Sequence, residues 1–124
     1  MGEFWHKVMI RGTKSHHNGK GLFDSGSSYS YIDRALAKRL GSPYDIDPAS
    51  GKITKYAPET IPKINAKTAV LQVKIGNRFV AFNFGIMDNL SEKIILGLDF
   101  LQQFDINVDF KKKKLIIPDR YKKR

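Results

Sequence analysis

Two alternating runs, Ala69-Val70-Leu71-Gln72-Val73-Lys74-Ile75 and Phe79-Val80-Ala81-Phe82-Asn83-Phe84, are separated by only Gly76-Asn77-Arg78, with Gly76-Asn77 as the turn. Apolar residues at every second position fit half-buried strands, and a two-residue Gly-Asn link fits a tight hairpin. The rest of the chain must therefore complete a sheet. His6 to Arg11 alternates with Val8 and Ile10 on one face, and Leu22-Phe23 reads as a short strand ending at Asp24. Between them Gly12 to Gly21 is polar and reads as a turn. Ile94-Ile95-Leu96 is a continuous apolar run of the kind buried on both faces. Ile106, Val108 and Phe110 alternate, the lysine run Lys111 to Lys114 makes a bend, and Leu115-Ile116-Ile117 closes the pattern before Pro118. Two short helices interrupt these strands. Ile32, Leu36 and Leu40 recur at helical spacing with Gly41 as a stop, and Leu98, Leu101 and Phe104 do so after Gly97. Many short strands with two small helices predict an all-β barrel or sandwich. Ser42 to Pro62 reads as loop or as an exposed hairpin near Ser50-Gly51.

The 124 residues suit a single domain, 1–124, with its core over about 6–117 and a basic tail over 118–124. With no cysteine, packing alone must hold the fold. The absence of a long apolar run argues against a membrane span, and the first residues lack a secretory layout, so an intracellular, cytoplasmic protein is expected. The formal charge of +10 invites a nucleic-acid reading. Along the chain, however, the basic residues are scattered and do not interleave with aromatics, which favours a solvated surface and a basic tail over a nucleic-acid partner.

Asp24-Ser25-Gly26-Ser27 raises the question of chemistry. An acid that ends an apolar strand is held on a rigid element, and such a carboxylate can serve as base toward a water molecule. Amide hydrolysis also needs an acid, and a second carboxyl within hydrogen-bonding distance supplies it, because two such groups share one proton. The chain offers one such motif, so a homodimer would bring Asp24 against its own copy. Alone, Asp-Ser-Gly is more often an ordinary turn. His16-His17 lacks a third ligand and no metal is expected, while Asp99 stands where a carboxylate favours a helix N-terminus.

Two motifs in order carry a resemblance. Asp24-Ser25-Gly26-Ser27-Ser28, continued by Ser30-Tyr31-Ile32, and Ile95-Leu96-Gly97-Leu98-Asp99-Phe100-Leu101 resemble the signatures of single-domain retropepsin-like aspartic proteases, the retroviral and retrotransposon type and their cellular relatives. The strand, turn, strand from Ile106 to Ile117 resembles the end of retrotransposon members. The resemblance implies a retropepsin-like barrel that works as a homodimeric endopeptidase on peptides, without cofactor. Asp24 would be catalytic, and Ser25, Gly26 and Ser27 would form its turn, Ser25 bracing it across the dimer. Leu96 and Gly97 would support that turn from below, and Ser50, Gly51, Lys52 and Ile53 would belong to a flap over substrate. The sparse flap glycines leave another reading, a catalytically weak or inactive dimerisation or peptide-binding module. Pro118 interrupts the C-terminal strand that retroviral members use to dimerise.

Overall fold

A computed structural model of the chain describes residues 2–41, 44–46, 53–55 and 68–123. In chain order its elements are β1 (Glu3–Arg11), β2 (His16–Asp24), β3 (Tyr31–Asp33), α1 (Arg34–Leu40), β4 (Tyr44–Ile46) and β5 (Ile53–Lys55). There follow β6 (Thr68–Ile75), β7 (Arg78–Met87), β8 (Ile94–Leu96), α2 (Leu98–Gln103), β9 (Asn107–Asp109), β10 (Lys114–Ile116) and a 3-10 turn over Asp119–Tyr121.

The Gly76-Asn77 turn joins β6 to β7, and the pairing runs without a slip from Ile75 opposite Arg78 to Thr68 opposite Gly85. Gly76 holds φ at +58°, and a Cβ there would come within 2.4 Å of the Tyr121 carbonyl oxygen. A side chain would be excluded twice over, by backbone conformation and by space. Six strands close a barrel in the order β1-β2-β8-β3-β7-β6. Inward residues alternate along each strand: Phe4, Val8 and Ile10 from β1, Ala69, Leu71, Val73 and Ile75 from β6, Phe82 and Phe84 from β7. The β8 run is buried at Ile94 and Leu96, with Ile95 half-exposed on the outer side. Its neighbours β2 and β3 pair with it on both edges.

Three boundaries differ from the sequence-based expectation, each because a partner strand overrides local composition. The polar stretch from His16 to Lys20 is strand, since every residue from His16 to Asp24 pairs with one of β1; the connecting turn shrinks to Gly12–Ser15. Ile32 lies in β3, held by β7 on one side and β8 on the other, so α1 begins only at Arg34 and ends at Gly41. The strand after Asn77 runs on to Met87, because its last three residues pair with β3.

The core reaches past residues 6–117 at both ends. Phe4 stacks on Phe23 and meets Phe110 edge-on. Tyr121 is buried against Phe104, which with Phe82 and Phe100 forms an aromatic cluster that fastens α2 to β7. Edge-to-face contacts of this kind add about 0.5–1.5 kcal/mol each to plain apolar burial. Backbone bonds from Asn77 N–H to the Tyr121 carbonyl (2.7 Å) fix the 3-10 turn on the β6–β7 end. The stretch after Pro118 is thus anchored by its one aromatic residue.

Candidate active site

β2 delivers Asp24 to the barrel's rim from a fixed base, for Phe23 is 2% exposed and pairs with Leu96 of β8. Asp24 itself is half-exposed. Its carbonyl accepts from Ser27 N–H (3.1 Å), closing the turn, and its Oδ1 accepts from Gly26 N–H (2.8 Å). No other hydrogen bond reaches the carboxylate among the described residues. The acid is positioned yet left with lone pairs facing outward.

Ser25 faces Gly2 of its own chain. Its hydroxyl accepts from Gly2 N–H (2.9 Å) and lies 3.2 Å from the Gly2 carbonyl, which also accepts from Ser25 N–H (3.0 Å). A hydroxyl has one donor and two acceptor sites, so one lone pair stays free for a second chain. Ser27 spends its hydroxyl on the Tyr29 carbonyl (2.7 Å).

The turn rests on the start of α2. Leu98 N–H donates to the Ser27 carbonyl (2.8 Å) and Asp99 N–H to that of Ser28 (3.2 Å). A Cβ on Gly97 would stand 2.5 Å from the carbonyl oxygens of both Ser27 and Tyr29. Only glycine lets the two segments meet so closely. Asp24, Ser25, Gly26, Ser27, Leu96 and Gly97 therefore converge on one knot. Of the hairpin residues, Ile53 opens β5 opposite Ile46 of β4, while Ser50, Gly51 and Lys52 lie outside the described residues.

Sequence reasoning missed two features here. Ser30, 1% exposed, is the bolt of the knot: its hydroxyl donates to Asp99 Oδ1 (2.6 Å) and accepts from Gly97 N–H (2.8 Å). Asp99 Oδ2 takes Ser30 N–H (3.2 Å), and Oδ1 takes Phe100 N–H (2.7 Å), the helix-start role expected for this acid. The second feature is an apolar row on the outer side of the barrel. Trp5, Leu22, Ile95 and Tyr31 are successive cross-strand partners, and Leu22 shares its face with Asp24 two residues on. Neither is visible in local patterning, since each depends on which strands become neighbours. Among the described residues no group of three or more His, Asp or Glu side chains could hold a metal ion.

The family model for the PEG10/RTL1 protease domain matches residues 20–124. The chain belongs to this family. It is a retropepsin-like aspartic protease domain, with the all-β barrel that this implies. Individual relatives are similar over most of the chain. Protein DDI1 homolog 2 of Mus musculus is 30% identical over 101 residues, covering 82% of this chain and 25% of the relative. DNA damage-inducible protein 1 of Neurospora crassa is 30% identical over 98 residues, 79% of this chain and 22% of the relative. The domain thus spans about a quarter of the length of these relatives. Among solved structures, the retroviral protease-like domain of Ddi1 from Leishmania major superposes with a TM-score of 0.61 at 18% identity, covering 94% of this chain and 88% of that one. The EIAV protease complexed with the inhibitor HBY-793 gives 0.52 at 18% identity, covering 87% and 93%. At such identities the likeness is one of fold.

Proposed function

We propose that the domain is an aspartic endopeptidase that acts as a homodimer, Asp24 of each copy flanking one water molecule. The observation that carries this reading is Asp24 itself: fixed at its base by Phe23 and, among the described residues, held by a single amide and otherwise open. One ionised carboxylate takes a proton from water as the oxygen attacks the scissile carbonyl. The other, protonated, gives its proton to the carbonyl oxygen, and proton return to the amide nitrogen then releases the amine.

Further features fit. The row of Trp5, Leu22, Ile95 and Tyr31 offers an apolar floor for side chains of an extended peptide. The antiparallel β4–β5 pair, in which Ile53 stands opposite Ile46, would belong to a flap over it. Beside Ser25 lies a cleft of about 440 Å³ lined by Leu98, Ile106, Val108 and Phe110 together with Gln102, Asp105 and Asn107, a mixed apolar and polar seat for the second copy next to the free lone pair of the Ser25 hydroxyl. Incubation with a mixed peptide library, alongside sedimentation velocity, tests the proposal. Cleavage by the dimer that Asp24→Asn abolishes is the expected result; cleavage that persists in Asp24→Asn ends it.

A further inference from the structure

The register of β1, β2, β6 and β7 gathers residues that the linear sequence scatters. The outward positions of β1 are Trp5, Lys7, Met9 and Arg11, and their partners on β2 are Leu22, Lys20, Asn18 and His16. Arg11 then pairs across to Gln72 of β6, and Lys74 of β6 to Phe79 of β7. Four lysine and arginine side chains thus share one sheet face with two aromatic rings. The outward carboxylates of these strands, Glu3 and Asp24, sit together at the far end.

Three details make this face more than a solvated surface. Lys7 and Lys20 are directly opposite one another, both exposed, and among the described residues neither they nor Lys74 pair with a carboxylate. Like charges placed so cost stability, which folding alone does not explain. Arg11 donates to Gln72 Oε1 (2.6 Å) while its guanidinium lies 3.6 Å from the Phe79 ring centroid, so the planar cation is held over the ring. Trp5, the chain's one tryptophan, is 49% exposed at the other end.

We propose that this face binds single-stranded nucleic acid. Cations spaced along a sheet neutralise successive phosphates, and the indole and the clamped guanidinium offer planes on which unpaired bases stack. An acidic peptide or an anionic lipid surface would use the lysines but not the planes. Trp5 belongs to both this face and the proposed peptide floor, but the inference needs neither Asp24 nor a second copy, and its lysine variants leave the peptide floor untouched.

Trp5 makes the test direct. The protein is titrated with a poly-uridine oligomer of about twenty nucleotides, following anisotropy of the labelled RNA and the fluorescence of Trp5. Binding should quench Trp5, and log K should fall with log salt with a slope of about −3, as four cations on a single strand predict. Lys7→Gln/Lys20→Gln should weaken binding about tenfold or more at about 50 mM salt and bring the slope to about −1.5, with unchanged or higher Tm. The hairpin-tip variant Lys111→Gln/Lys112→Gln/Lys113→Gln should bind as the parent does. No binding at low salt, binding without Trp5 quenching, or equal losses in the two variants would overturn the proposal. So would polyglutamate or phosphatidylserine vesicles that bind as tightly and quench Trp5 as strongly, since that assigns the face to an acidic protein or a membrane.

Discussion

The chain contains two strand-turn-helix units that look alike on paper, one around Asp24 and one around Asp99. In the first, β2 ends in a loop from Ser25 to Ser30 before β3 and α1; in the second, β8 passes through Gly97 straight into α2. Their acids meet different fates. Asp99 receives the Ser30 hydroxyl and the N–H groups of Ser30 and Phe100, whereas Asp24 receives Gly26 N–H alone among the described residues. A carboxylate whose lone pairs are filled by fixed donors serves the fold, and one left open is available to a water or a second carboxyl. The difference arises from the neighbours, since the two motifs hold each other up: the closed acid braces the loop that presents the open one.

Exchanging the acids' roles is the hardest test of that contrast. Asp24→Asn should lower peptide cleavage on the order of 10³-fold or more with unchanged Tm, whereas Asp99→Asn should lower Tm and keep measurable turnover. If Asp99→Asn proved as inactive as Asp24→Asn in a fully folded protein, the division of labour would be wrong. Gly97→Ala comes next, because its methyl would press on two backbone carbonyls at 2.5 Å. A loss of about 1–3 kcal/mol in denaturant unfolding is expected, and a neutral result would mean the loop yields freely. Ser30→Ala strands Gly97 N–H and removes the hydroxyl from Asp99, at a cost of about 1–3 kcal/mol. Calorimetry should find that loss smaller, though not absent, when the same change is made in an Asp99→Asn background, since the Ser30–Asp99 bond is shared while the stranded Gly97 N–H remains.

The smallest effect concerns His17, on the inner side of the β1–β2 ribbon beside α1. Burial, with the nearby Arg39 adding to it, holds its pKa below the ordinary 6.5. The unfolded chain therefore binds the proton more readily, so the contribution is fully present above 6.5 and is lost as pH falls through 6.5 toward the lowered value. Melting curves should show His17→Gln with a shallower loss of Tm on acidification than the parent; an identical slope would assign the acid sensitivity to other groups.

Much of this was legible from residues alone, and the failures share a cause. Alternation located β6 and β7 because each inward side chain there is apolar, and Gly41 marked the end of α1. Ile32 misled because its four-residue spacing to Leu36 and Leu40 suits a helix, while its backbone is claimed by β3's two neighbours. His16 to Lys20 misled because a strand whose partner is supplied elsewhere in the chain needs no apolar pattern of its own. Tyr121 sat in what looked like a basic tail, and only its contacts with Phe104 and the β6–β7 turn make it core.

Local order by itself determined the strand class, the hairpin at Gly76-Asn77 and the two motifs that announce the family, because period-two burial, turn chemistry and a short signature are all properties of adjacent residues. What the tertiary structure decided is everything that depends on distant segments becoming neighbours. It placed Gly97 beneath the Asp24 loop, closed Asp99 with Ser30, lined up Trp5, Leu22, Ile95 and Tyr31, and set Lys7 against Lys20. A tight turn fixes the register of β6 on β7 locally, but between strands distant in the chain, such as β2, β8 and β3, no adjacent residues mark the pairing, and the closing of the barrel sets it.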